Sequence, residues 1–312
     1  MTELLVTKGA NIKQLDKQGL SVLHIAANKG SIDLCKYFIS LGFDINAKDL
    51  NGKTPIHYAT QCHAAENLLE YLLSEGADVN SQDNDNQTPL HYSAQVNNSD
   101  VAQLLLQNGA NIEAKDKTGK TALAIAAELN LVEIAEFLIS HGANINTQDN
   151  DNKTPLHYIA EMECSCVAQL RFPLGANLEA KDNAGKILIR YSTIALKAIW
   201  IELLIQHGAN IEAKDNTGKT ALCLAAKHSS FKIVEILISY GANVNTQDID
   251  NNTPLHYAVN YPDIRKVQLL IQHGANVNAK DSTGKTPLQC AIKNNQRLMI
   301  QLLRENGAID ES

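Results

Sequence analysis

At 312 residues the chain is long enough for two ordinary domains, and 44% apolar with 20% charged residues describes a soluble, globular class. A net charge of -7 excludes a general phosphate-binding surface, and with it nucleic acid as a partner. Met1 to Lys13 lacks the basic start and apolar run of a signal peptide, and the most apolar run, Ile194 to Ile205, is too short and too charged to span a bilayer.

In chain order, residues 1–15 hold only the second half of a structural module: an apolar helix over Met1 to Lys8, stopped at Gly9. From Asp16 the chain repeats. Asp16, Asp49, Asp83, Asp116, Asp149, Asp182, Asp215, Asp248 and Asp281 open nine modules, and glycines from Gly42 to Gly307 keep the same step of 33 residues, 34 once. The modules are 16–48, 49–82, 83–115, 116–148, 149–181, 182–214, 215–247, 248–280 and 281–312, the extra residue of the second lying between its two helices. A fixed period of this length announces stacked supersecondary units.

Each module predicts its own structure. Thr154 is a side-chain N-cap, and Pro155 stands at the first helical position, where a missing N–H costs nothing. A short apolar helix follows through Leu156 and Ala160. In the module before it, Ile134, Phe137, Leu138 and Ile139 give a second helix an apolar face, and Gly142 stops it in a left-handed conformation. Asn144 to Asn152, rich in Asn, Asp and Gln, is a turn-rich projecting finger. The fold class is therefore all-α: stacked helix-turn-helix modules with projecting hairpin-like loops. Stacking covers the apolar faces that a single module cannot bury.

Thr54-Pro55-Ile56-His57, Thr88-Pro89-Leu90-His91, Thr154-Pro155-Leu156-His157 and Thr253-Pro254-Leu255-His256 are each followed by Tyr. With the period and the Gly-Ala-Asn closures, they resemble the ankyrin repeat over essentially the whole chain. The resemblance implies an ankyrin-repeat solenoid of antiparallel helix pairs, with loops projecting at right angles and the four histidines tying neighbouring modules. It also implies protein–protein recognition through loop tips and the inner helical face. Gln107 to Thr121 recurs at Gln206 to Thr220, 99 residues on, so a block of three modules was copied and identical surface residues record history as well as use.

The rule fails between 161 and 200. Arg171 stands in an apolar register, Pro173 falls near the end of a second helix, and Ile187-Leu188-Ile189-Arg190 replaces the Thr-Pro-Leu-His cap. The stretch is either a hinge or docking site containing Trp200, or one drifted module; in both readings it is the weakest junction. The last module is polar at Asn294, Asn295, Gln296, Arg297, Gln301 and Arg304, which suits closing a stack. The start lacks a covering first helix, so either the N-terminal edge is poorly capped or the chain continues a longer protein.

Chemical motifs were weighed and set aside. Gly119-Lys120-Thr121, Gly218-Lys219-Thr220 and Gly284-Lys285-Thr286 end like a phosphate-binding loop, but Ala114, Ala213 and Ala279 stand where that loop needs glycine. Asp149-Asn150-Asp151-Asn152 opens like a calcium loop and lacks its later glycine and glutamate, Thr154 and Ala160 standing there. Most histidines fall at the cap position or, as His141, His207 and His273, before a helix-stopping glycine. Cys164-Ser165-Cys166 is too sparse for zinc, and the six cysteines read as free thiols of a reducing, cytoplasmic setting. No catalytic set, metal site, cofactor or small-molecule substrate is expected.

Two rows are candidate partner-binding residues. Val96, Leu129, Met162 and Tyr261 follow the first helices, on what the resemblance makes the inner face, and either form an apolar stripe or simply close the turns. Lys120, Lys153 and Lys219, with Lys53, Lys186 and Lys285, precede the caps. They either meet an acidic partner segment or share a mixed, solvated face with Glu113, Glu179 and Glu212. The expected function is a non-catalytic scaffold for a protein partner. Membrane contact is expected only within a larger anchoring protein, and a composition rich in Asn, Ile and Lys leaves open an effector that a microbe secretes into a host cell.

Overall fold

The computed structural model describes residues 11–62, 65–161, 198–228, 231–261 and 263–310. Two compact units divide the chain, residues 1–144 and 145–312. All regular structure among the described residues is helical.

The first unit contains α1 (Val22–Asn28), α2 (Ile32–Ser40), α3 (Pro55–Ala59), α4 (Ala65–Ser74), α5 (Pro89–Gln95), α6 (Ser99–Gln107), α7 (Ala122–Glu128) and α8 (Val132–Ser140). Consecutive helices pair into four rungs, α1 with α2 through α7 with α8. First helices stack on first helices, α1 on α3 on α5 on α7, and second helices likewise, α2 on α4 on α6 on α8. The first helices approach closely because their buried face is made of Ala26, Ala27, Ala59, Ala94, Ala126 and Ala127, against which Leu105 and Leu138 pack without exposure. Asn130 ends α7 at φ 58°, and Leu131 N–H then donates to Ala126 O at 2.9 Å. Gly142 ends α8 at φ 89°, and Ala143 N–H reaches back to Leu138 O at 3.0 Å, which closes the helix end as a left-handed cap requires.

The fingers stack as tightly as the helices. Asn84 N–H donates to Asn51 O at 2.8 Å, and a Cβ at Gly52, already at φ 75°, would meet the Asn84 side chain at 2.5 Å. A carboxamide ladder runs below them. Asn46 Nδ2 donates to Gly76 O at 3.1 Å while its Oδ1 accepts Asp78 N–H at 2.8 Å, and Asn80 repeats the pattern on Gly109 O and Asn111 N–H. Glu113 keeps the accepting half, taking Asn144 N–H at 2.7 Å.

The second unit contains α9 (Pro155–Glu161), α10 (described over 198–206), α11 (Ala221–His228), α12 (Phe231–Ser239), α13 (Pro254–Ala258), α14 (Ile264–Gln272), α15 (Pro287–Lys293) and α16 (Arg297–Glu305). Here the ladder takes one step of double length. Asn146 Nδ2 donates to Gly208 O at 3.2 Å and Asn146 Oδ1 accepts Asn210 N–H at 2.7 Å, across 62 and 64 residues, where Asn245 makes the same bonds across 29 and 31. Finger and helix agree: Asn216 N–H donates to Asp151 O, and α9 packs directly on α11. The irregular segment expected at 161–200 lies outside the described residues over 162–197.

Trp200, on α10, is fully buried in the position that Ile134 and Ile233 hold elsewhere, and its indole N–H has no partner. It is therefore a core residue, whether the segment before it is a hinge, a docking site or a drifted module. The same register holds Lys266, 4% exposed, whose ammonium donates to Ala226 O at 3.0 Å on the preceding rung and lies 5.6 Å from the Tyr261 ring centre. A cation there meets the carbonyl end of α11, where the helix dipole favours it. Among the described residues no helix is long and apolar enough to cross a membrane.

Candidate partner-binding surface

The surface available to a partner is what remains after the rungs have satisfied one another. The cap residues are buried and turned inward. Thr54, Thr88, Thr154 and Thr253 precede helices that open on Pro55, Pro89, Pro155 and Pro254, and the histidine on the next turn folds back to each. Thr54 N–H donates to His57 Nδ1 at 3.1 Å, and Thr88, Thr154 and Thr253 do the same to His91, His157 and His256. A ring nitrogen accepting a backbone N–H carries no proton, so the proton is on Nε2. That nitrogen donates to the next rung: His57 to Gln87 O, His91 to Lys120 O, His157 to Lys219 O and His256 to Lys285 O, at 3.1–3.2 Å. His24 does the same with Ser21 and the carbonyls of Ala47 and Lys53. Burial pushes all five histidines below their ordinary pKa, against weaker upward pulls from those carbonyls and nearby aspartates.

Asp16 accepts the N–H groups of Gln18 and Leu20, and the described finger aspartates after it are satisfied in one of two ways. Asp83 Oδ1 accepts Asp85 N–H and Gln87 N–H, each at 2.8 Å, while Oδ2 accepts the Tyr92 hydroxyl at 2.6 Å. Tyr58 reaches Asp49 at 2.5 Å, and Tyr158 and Tyr257 bond Asp149 and Asp248 likewise. Burial first, and then the bonded carboxylate, push the Tyr58, Tyr92 and Tyr257 hydroxyls far above the ordinary phenol range. Where an aliphatic residue replaces the tyrosine, as at Ile125 and Leu224, a hydroxyl within the turn serves instead: Thr118 and Thr217 donate to Asp116 and Asp215 at 2.7 Å. The Asp149 turn that opens like a calcium loop thus points its carboxylate at its own backbone and Tyr158. Among the described residues no group of three or more His, Cys, Asp or Glu is placed to hold a metal ion.

Lys53, Lys120, Lys153 and Lys219 lie half-buried beside the caps, and Lys285 is exposed. Lys120 is ion-paired with Glu128 at 2.7 Å and Lys153 with Glu161 at 2.6 Å. Lys219 donates to Thr217 Oγ1 at 3.0 Å and sits 5.8 Å from the Tyr257 ring centre. Lys53 is 4.7 Å from the Tyr92 ring centre. Lys186 and Glu179 fall outside the described residues.

Val96 and Leu129 stand on adjacent rungs of the first unit, where α5 and α7 end. Leu129 is 36% exposed and Val96 half-buried. Met162 is outside the described residues, and Tyr261, half-buried in the second unit, lies against Lys266 of its own rung. The expected stripe therefore reduces, among described residues of one unit, to Val96 and Leu129. Sequence reasoning missed the apolar finger tips Leu50 and Ile249, 70% and 68% exposed, and the carboxamide ladder within each unit, from Asn46 in the first and to Asn278 in the second. A signal for both was present, because each recurs at one register of the period.

Known proteins add a name to this geometry. The family described as ankyrin repeats in three copies matches at residues 1–83, 62–149, 90–182, 156–248 and 245–311. An ankyrin repeat protein of Acanthamoeba polyphaga mimivirus is 37% identical over 68 residues, covering 22% of this chain and 9% of that protein. A palmitoyltransferase of Homo sapiens is 44% identical over 59 residues, covering 18% and 9%. Protein phosphatase 1 regulatory subunit 27 of Homo sapiens is 45% identical over 53 residues, covering 17% and 34%. The matched stretch is thus under two thirds of each relative's length. Helix pairs stacked through threonine–histidine caps, fingers stacked through their turns, and a family match running nearly end to end agree on one conclusion: the chain belongs to the ankyrin repeat family.

Proposed function

We propose that the protein is a non-catalytic scaffold of the cytoplasm that binds a protein partner on its inner helical face and loop tips. The observation behind this reading is that the buried cap histidines are turned toward neighbouring rungs, while apolar Leu129, Leu50 and Ile249 face outward. The two kinds of relatives named for regulation and for palmitoyl transfer also carry this repeat as part of something longer. For a scaffold, Val96→Glu with Leu129→Glu abolishes capture of a specific lysate protein by the first unit's face while circular dichroism and melting are unchanged. Capture of nothing by the parent protein sinks the scaffold reading. Retention of the same protein by the variant moves the site to the loop tips. A second reading, an ankyrin segment of a larger anchoring protein, is favoured by the short fraction of each relative that is matched; intact mass of the endogenous protein decides it.

The nine-module division, with its partial module at 1–15, is part of the same proposal, with one refinement. The refinement is that α9, from the module at Asp149, packs directly on α11, from the module at Asp215, and that Asn146 bonds Gly208 and Asn210. Deleting residues 163–195, one repeat step, is expected to leave a cooperative fold whose melting temperature stays within about 5 °C of the parent. Loss of cooperative unfolding in that deletion overturns the refinement.

A further inference from the structure

On three rungs, the residue before the N-cap meets the residue eight positions on, at the far end of the first helix. Gln95 Nε2 donates to Gln87 Oε1 at 3.1 Å, Lys120 pairs with Glu128 at 2.7 Å, and Lys153 with Glu161 at 2.6 Å. Later in the second unit the same register changes character. It carries Lys219 with Lys227, then Asn252 with Asn260, then Lys285 with Lys293. These two positions therefore both carry positive charge on two rungs that flank a neutral one.

None of these four lysines is in an ion pair among the described residues. Lys285 and Lys293 are exposed and Lys227 is half-buried. The finger carboxylates of the same rungs are already occupied. Asp215 accepts Thr217 N–H, Lys219 N–H and the Thr217 hydroxyl, Asp248 accepts the Tyr257 hydroxyl, and Asp281 accepts Thr283 N–H, Lys285 N–H and the Thr283 hydroxyl. Asp250 stays on an exposed finger turn. Between the lysine pairs, Asn294 Nδ2 donates to Asn260 Oδ1 at 2.8 Å and the Tyr261 ring is half-exposed, so these central side chains are uncharged, with the buried Lys266 ammonium 5.6 Å from the ring centre. On a chain of net charge -7, four lysines without an acidic partner on one face are a local reversal of sign.

We propose that this face of the last three rungs docks an extended, carboxylate-rich segment of a protein partner. The inference rests on the scaffold reading and names the chemistry of the partner. Stacked helices stand about 10 Å apart, so the two lysine pairs are about 20 Å apart. An extended chain rising about 3.3 Å per residue covers that distance in about six residues. The matching segment has two clusters of Asp or Glu about six residues apart, with uncharged residues between them to lie over Asn260 and Tyr261. A continuous polyanion such as nucleic acid fits less well, because it sets charge against the neutral rung and against the net charge of the whole chain.

The test uses the full chain and fluorescent synthetic peptides. One peptide carries two Glu-Glu clusters at the stated spacing; a second has the same composition with the clusters adjacent; a single-stranded oligonucleotide of equal charge is the third probe. The spaced peptide is expected to bind best, to weaken with salt, and to lose about tenfold in affinity in Lys227→Glu with Lys293→Glu. Lys36→Glu, on α2 of the first unit, is expected to change nothing. The Gln versions at 227 and 293 guard against a folding artefact and are expected to lose affinity in the same direction. Equal binding of both peptides, tighter binding of the oligonucleotide, or indifference to the lysine variants overturns the proposal. The scaffold reading is judged separately by lysate capture on the first unit, so either can fail alone.

Discussion

Acidification from about pH 7.5 to about pH 5 is expected to lower the melting temperature steeply, and a variant with Gln in place of His24, His57, His91, His157 and His256 is expected to lose that dependence. The five imidazoles are buried, and each uses Nδ1 to accept an N–H and Nε2–H to hold the next rung. Protonating Nδ1 forces two N–H groups to face each other. Their folded pKa values lie below the ordinary 6.5, so the unfolded chain takes up protons first. The stabilisation is therefore complete above that value and is lost as pH falls through the depressed folded values, at about 1.4 kcal/mol per unit of difference and per site.

Glutamine is the right control because the molecule already uses it. Gln289 takes the histidine's place on the last rung, and its Oε1 accepts Thr286 N–H at 3.0 Å without titrating. Carboxylates act in a different window. Asp263 and Asp281 are held below their ordinary 3.8, since hydrogen bonds from Arg265 and Thr283 together outweigh the upward push of burial. Their contribution is lost only at lower pH. A Gln variant whose melting temperature falls with acid as the parent's does would refute the histidine account.

Asp83→Ala is expected to destabilise the first unit by about 3 kcal/mol, and Tyr92→Phe by about 1 kcal/mol. The alanine leaves the buried Tyr92 hydroxyl without its acceptor and releases the two N–H groups that shape the finger turn. The phenylalanine removes one donor from a carboxylate that keeps two others. In a stacked repeat the damage is local first, because each rung is held by its neighbours. Hydrogen exchange is expected to quicken in α5 and in the flanking helices α3 and α7, ahead of α1. Uniform quickening across the unit, or a urea midpoint equal to the parent's, contradicts this assignment.

The alternation behind that prediction was written in the chain. Tyr58, Tyr92, Tyr158 and Tyr257 occur where the finger lacks Thr at its turn, and Thr118, Thr217 and Thr283 occur where the helix lacks Tyr. The correlation acquires meaning only when Asp83 Oδ2 and Asp116 Oδ1 are seen to receive those hydroxyls. The carboxamide ladder was hidden for a similar reason. Asn is common throughout the fingers, and nothing local marks Asn46 or Asn80 as the one that reaches a glycine carbonyl about a repeat away.

By itself the sequence determined the period, the helix starts at threonine and proline, the glycine stops and the family, because each depends on residues close in the chain or repeated at one register. Tertiary structure decided which rungs touch. The pairing of α9 with α11, the burial of Trp200 and the bond from Lys266 to Ala226 O on the preceding rung all arise between elements. Local rules are blind to these because stacking is satisfied by any two modules with matching faces, and a repeat offers the same face at every step.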